Sequence, residues 1–198
     1  MIGVYDHATS SDGNTWRDDK KLAGIKEPGT EFSGHYQVSG ILGNRIVTFF
    51  NRHPNGDVDK RTDLYYLETS DFGKTWQDAA GKQLNVPLSE VDPGRIIDYA
   101  AQSRNVYLKD VNFDKFGNPL CLYLTSKSHK PGPEGGDREW KIAQWKNGDW
   151  VIRSVTTSDH NYDMGSLYID GDLWKVVAPI GRGPQLTIWI NPKVSYLF

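Results

Sequence analysis

A chain of 198 residues is long enough to bury a sizeable core, and its formal charge of −2 gives no basic field for tracking a phosphate backbone, which argues against a nucleic-acid role. Twenty Gly, ten Pro and 12% aromatic residues suit an all-β protein with many turns rather than a helical one. The single cysteine, Cys121, excludes an internal disulfide framework, and no stretch is apolar for long enough to span a bilayer.

Taken in chain order, the sequence is a succession of hairpins. Met1 to Asp6 lacks the basic and apolar regions of a signal peptide and reads as a strand entered partway through, feeding the turn Ser10-Ser11-Asp12-Gly13-Asn14-Thr15-Trp16. Tyr36 to Leu42 alternates into Gly43-Asn44, and Arg45 to Phe50 returns. Thr62 to Glu68 then leads into Thr69-Ser70-Asp71-Phe72-Gly73-Lys74-Thr75-Trp76. There an Asp side chain can bond backbone N–H groups two residues on, and Gly73 accepts positive φ. Ser89 to Ala101 is expected to hold a turn or two of helix. Asn105 to Phe113 turns at 115–118 into Pro119 to Thr125, a run that places Cys121 among Leu side chains as a core residue. Arg138 to Trp145 turns at Asn147-Gly148-Asp149 into Trp150 to Val155, and Asp163 to Ile169 turns at Asp170-Gly171-Asp172 into Leu173 to Pro179.

The turns at 10–16 and 69–76 share a Thr-Trp ending and lie about 60 residues apart, the mark of a repeat architecture. Grouping the strands gives a partial unit at 1–18, four-stranded units at 35–78 and 105–155, and a further partial unit at 163–198. Four-stranded antiparallel blades set radially are the β-propeller plan, and the whole chain reads as one such region. It holds about three blades where closed rings typically have roughly 4–8, so the expectation is a partial propeller whose open blade faces favour self-association. Such a piece is expected to be inactive or poorly folded alone.

In a propeller, successive hairpin turns alternate between two faces. The short Gly/Asn/Asp turns share one face and read as structural. The longer loops share the other, and four of the five histidines fall there: His35, His53, His129 and His160. His7 is assigned to structure. Because neighbours on a strand point opposite ways, His35 and Tyr36 cannot both face a common channel, whereas His35 and Gln37 can. No histidine pair has metal-site spacing, and there is no Gly-rich phosphate loop or Ser-His-Asp pattern, so neither metal nor cofactor is expected.

The spacing of 69–76 matches at every defined position the Asp box of BNR-repeat proteins, and 10–16 is a near copy. Further stretches resemble the same group and its ulvan-lyase-like propellers: Gly34 to Ser39, Phe50 to Pro54, Arg61 to Tyr66, Tyr107 to Phe113, Asp159 to Tyr168 and Gly183-Pro184-Gln185. The resemblance implies a secreted or periplasmic propeller acting on polysaccharide or oligosaccharide. Ulvan-lyase-like members use a His pair with Tyr and Arg at the channel mouth. His35 and His53 match the pair, and Tyr162, Tyr99, Arg61 and Arg182 are placed by position.

The leading expectation is β-elimination on an acidic polysaccharide, with His35 or His53 as base, Arg61 at the uronate carboxylate and Tyr162 as acid. Substrate contacts are expected from His160, Asn161, Lys109, Arg182 and Gln185. The alternatives are a sialidase-like hydrolase using Asp159, Asp163 or Asp110, and a glycan-binding propeller without chemistry. The three arginines and Tyr–acid pair of sialidases are not found in this sequence.

Overall fold

A computed structural model of the chain describes residues 5–26, 28–91, 93–181 and 185–190, the side chains of Asp18 and 185–190 apart. It divides into two compact units, Met1–Val106 and Tyr107–Phe198. Both are built from antiparallel sheets.

In the first unit, β1 (Tyr5–Thr9) and β2 (Arg17–Ala23) form a two-stranded hairpin. A second sheet runs in the order β3 (Gln37–Leu42), β4 (Arg45–Arg52), β5 (Thr62–Thr69), β6 (Trp76–Gln77), β7 (Gln83–Leu84). β8 (Arg95–Ile97) also pairs with β5, through Leu64 opposite Ile97 and Tyr65 opposite Arg95. The helical turn expected over Ser89 to Ala101 is therefore replaced by a short strand. The far half of β5 leaves backbone groups that β6 does not reach, and a strand satisfies them.

β5 is buried along its whole length, so Leu64, Tyr65, Tyr66 and Leu67 pack on both faces rather than alternating with solvent. On one face Phe50, Tyr65, Leu67 and Trp76 form a core with Tyr5 and Leu22 of the hairpin and with Leu88. Burial of each such side chain contributes about 1.5–3 kcal/mol. The hairpin is pinned by Gly24 N–H to Leu88 O and Leu88 N–H to Leu22 O, both 2.8 Å.

The two Asp-containing turns close on their own side chains. Asp12 accepts from Asn14 N and Thr15 N at 2.9 and 2.8 Å, and Asp71 accepts from Thr75 N at 3.0 Å and Thr75 Oγ1 at 2.7 Å. These bonds to the charged form hold both carboxyls down to about 2.

The second unit carries a four-stranded sheet and a three-stranded one. The first runs β9 (Asn105–Phe113), β10 (Pro119–Ser126), β11 (Arg138–Lys146), β12 (Asp149–Ser158). The other is β13 (Ser166–Asp170), β14 (Leu173–Pro179), β15 (Gln185–Ile190). Leu120, Leu122, Leu124 and Trp140 pack against Leu167, Trp174 and Val176 as its core. Cys121 is fully buried, and that burial pushes its thiol well up. Among the described residues no helix is long and apolar enough to cross a membrane.

Candidate functional site

Beyond the last strand pair of β3 and β4 the ladder continues irregularly, through Asn51 N–H to Tyr36 O at 3.0 Å and His53 N–H to Gly34 O at 2.7 Å. This pairing makes Tyr36 and His53 diagonal neighbours on one face. Their rings meet edge to face with centroids 4.6 Å apart. The Arg61 guanidinium carbon lies 5.0 Å from the centre of the Tyr36 ring, and Arg61 Nε donates to Val58 O at 2.8 Å. Gly34 is required here by close approach, because a Cβ on it would fall 2.7 Å from His53 Nδ1.

His53 is only 3% exposed, and its Nε2 is buried without a hydrogen-bond partner. Burial, then the nearby Arg61 cation, lowers its pKa to about 4, so the ring is neutral near neutral pH. Tyr36, by contrast, is 48% exposed. The trio therefore sets an exposed phenol beside a buried cation and a buried neutral imidazole within one unit.

His35 points the other way. Its Nδ1 lies 2.9 Å from Asn51 O, its Nε2 accepts from Ile25 N at 3.4 Å, and the ring packs against Phe50 and Tyr5. These partners fix the tautomer with the proton on Nδ1, and desolvation lowers the pKa to about 4. The alternation expected between His35 and Tyr36 holds, but Tyr36 is the one that shares a face with His53. Gln37 lies on the same side of the strand as His35, away from that trio.

Two buried groups hold this arrangement. Asn51 Oδ1 accepts from Tyr36 N at 2.9 Å, and its Nδ2 donates to Val106 O at 2.9 Å. Arg52 Nε donates to Asp63 Oδ2 at 2.7 Å, with both residues buried. Asp63 sits at φ +59°, an uncommon conformation for a residue with a side chain, and its Oδ1 accepts from Ala100 N at 2.9 Å. Neither anchor stands out in the sequence, because both depend on partners supplied by the fold.

The second unit gathers its own cluster. Asn161 is fully buried; its Nδ2 lies 2.9 Å from Tyr107 Oη and 2.9 Å from His129 O, and its Oδ1 accepts from Arg138 Nε. Arg138, also fully buried, donates to Gly136 O and Lys130 O at 2.7 and 2.6 Å. Lys109 Nζ donates to Asn161 O at 3.1 Å, and Tyr162 packs edge-on against Tyr107 at 5.7 Å. His160 Nδ1 accepts from Tyr162 N at 3.1 Å, with the two rings 5.8 Å apart. Lys109, His160, Asn161 and Tyr162 are thus brought together, with Asn161 fully used in binding loops to one another. Tyr99 is buried, and its carbonyl accepts from Arg104 N at 3.0 Å.

Two of the three acids considered for hydrolysis, Asp110 and Asp163, hold backbone or a turn. Asp110 Oδ2 accepts from Leu167 N at 2.7 Å, and Asp163 Oδ2 accepts from Ser158 Oγ at 2.5 Å. Arg182 and the Gln185 side chain lie outside the described residues. Among the described residues no group of three His, Cys, Asp or Glu side chains is placed to hold a metal ion.

Residues 5–158 match the model of the BNR repeat-containing family. No curated protein sequence matches the chain. Among solved structures, the fold is similar to a polysaccharide lyase of family PL25, an ulvan lyase, with a TM-score of 0.75 at 14% identity over 94% of this chain and 46% of that one. A structure of the PL25 ulvan lyase with -[GlcA(1-4)Rha3S]- bound gives 0.74 at 14% identity over 93% and 46%. A Hadza microbial sialidase gives 0.59 at 10% identity over 93% and 37%. These likenesses establish the fold as that of the β-propellers. The chain spans less than half the length of these structures.

Proposed function

This chain belongs to the BNR repeat-containing family, and on that footing we propose that it is part of a secreted or periplasmic carbohydrate-active propeller that cleaves an acidic polysaccharide by β-elimination. The observation that carries the reading is His53 Nε2, buried without a partner on a ring packed against an exposed tyrosine that also meets an arginine. The fold likeness to an ulvan lyase supports the substrate class.

Elimination at a uronate removes the proton α to the carboxylate, forms a carbon–carbon double bond and expels the glycosidic oxygen. Neutral His53 takes the proton. Arg61 binds the carboxylate and stabilises the enolate that develops there. Tyr36 gives the leaving oxygen its proton, the role expected of Tyr162 from the sequence. A free-state pKa of about 4 makes His53 a weak base, but a bound uronate supplies an anion that offsets Arg61 and raises it toward the working range. His35 is a positioning residue, since both its ring nitrogens face backbone partners that orient the 34–36 segment. Lys109, His160 and Tyr162 offer a sugar-contacting surface on the second unit, joined in the proposal by Arg182 and Gln185.

The test is to incubate the protein with uronate-containing polysaccharides and follow the absorbance of unsaturated products. His53→Gln is expected to lower that rate by about 10²–10⁴. An unchanged rate in His53→Gln removes the base assignment. Tight oligosaccharide binding with no product over long incubation selects a binding role instead.

A further inference from the structure

The Asp-containing turns, structural by their hydrogen bonding, also frame a cavity that the proposed reaction does not use. It measures about 300 Å³, at the lower end of the ~300–1,000 Å³ range of small-molecule sites, and lies within the first unit between the β1–β2 hairpin and the β3–β7 sheet. An exposed aromatic from each turn lines it: Trp16, 65% exposed, and Phe72, 69% exposed. Phe72 holds φ +59°, so a bulky ring sits where glycine or asparagine is the easier choice. The corresponding stretch of the first turn has Gly13 at φ +74°.

Part of the lining is polar. Tyr5 Oη is hydrogen-bonded to Thr48 Oγ1, Ser39 Oγ lies 3.1 Å from the same oxygen, and Ser39 Oγ lies 2.6 Å from Gln37 Oε1. This is a run of hydroxyl and amide groups, each able to both donate and accept. Two ring nitrogens on the lining are buried without partners: Trp76 Nε1, on a side chain only 4% exposed, and His7 Nδ1. Both lie behind the cavity wall, where the His7 and Trp76 rings pack edge to face at 5.4 Å, so they leave the exposed rings and the hydroxyl and amide groups to meet a ligand. No lysine or arginine lines the cavity among the described residues, and Asp6 is its one carboxylate.

We propose that this cavity is a second glycan-binding site, one that takes a neutral sugar ring, with Trp16 and Phe72 as stacking faces and the Tyr5–Thr48–Ser39–Gln37 hydroxyl and amide groups as hydrogen-bonding partners. Exposed aromatic rings and hydroxyl-matching groups on one lining suit a pyranose, and a lining that carries Asp6 but no lysine or arginine among the described residues favours a neutral ring over a uronate. The choice of a sugar among polar rings rests on the carbohydrate reading above, although no residue is shared with the His53 site. The pairing has a use: a neutral unit of the polymer held here keeps the chain close while uronate linkages are cut elsewhere.

The test is a calorimetric titration of the full chain with cellohexaose, xylohexaose and mannohexaose, alongside a uronate oligosaccharide. At least one neutral oligosaccharide is expected to bind, with affinity reduced about tenfold by Trp16→Ala or Phe72→Ala. Both side chains are largely exposed, and circular dichroism checks that each variant remains folded. His53→Gln is expected to leave neutral-sugar binding intact while uronate cleavage falls. The inference is overturned if no neutral oligosaccharide binds, if the Trp16→Ala/Phe72→Ala double variant binds as well as the parent, or if His53→Gln abolishes the binding. If uronate cleavage is absent but neutral binding follows Trp16 and Phe72, the second site stands and the elimination reading falls.

Discussion

His53 and His35 are two imidazoles driven down to about 4 by the same cause, burial, yet they serve different ends. One has both nitrogens engaged by backbone; the other has a nitrogen with no partner beside a phenol and a guanidinium. Both leave a signature in stability. The unfolded chain protonates these rings near 6.5, the folded one only near 4, so below 6.5 the unfolded state holds more protons. Their contribution is complete above pH 6.5 and drains away as the pH falls toward 4, on the order of 1–3 kcal/mol for each. Denaturant unfolding followed across that window should show the decline, and His53→Gln should flatten it; identical slopes would deny His53 its buried, neutral state. At this scale the sequence was legible in part. His53 and Arg61 stood out as loop residues of the right chemistry. Strand parity correctly put His35 and Tyr36 on opposite sides, but parity carries no sign. The choice between them was made by core packing, where Phe50 and Tyr5 claim the His35 ring.

Among the elements, the turn at 69–76 shows how a short motif is tied to its neighbours. Gly73 has φ +79°, and a Cβ there would meet His7 Nε2 at 2.6 Å, whereas Gly43, at φ +63°, has nothing within 4 Å of its would-be Cβ. Gly43→Ala should therefore carry only the backbone penalty, about 1–2 kcal/mol. Gly73→Ala carries that penalty and also displaces His7 from its edge contact with Trp76, so it is expected to lower the melting temperature further. Equal losses for the two would mean that His7 yields freely. The hairpins themselves were readable because turn chemistry is local: Gly43-Asn44 and Asn147-Gly148 sit where Leu42 faces Arg45 and Lys146 faces Asp149. β8 was not, since its three residues are paired opposite β5, a partner that local sequence does not announce. Nor does sequence distinguish Trp76, buried in the core, from Trp16, which ends the matching motif in solvent.

Across the whole molecule the same device recurs in each unit: a fully buried asparagine ties backbone segments together behind the exposed aromatic, Asn51 behind Tyr36 and Asn161 beside Tyr162. The fold class was legible because repeated hairpins and the paired Asp-containing turns are spread along the chain, and the family match spans residues 5–158. Reaction chemistry is where fold likeness stops, because a lyase and a sialidase both share this architecture. The measurement that separates them is cleavage of a uronate polysaccharide in water enriched with heavy oxygen, with mass spectrometry of the products. Elimination by His53 and Arg61 predicts unsaturated ends that carry no label. A saturated product bearing one heavy oxygen per bond cut would contradict the account.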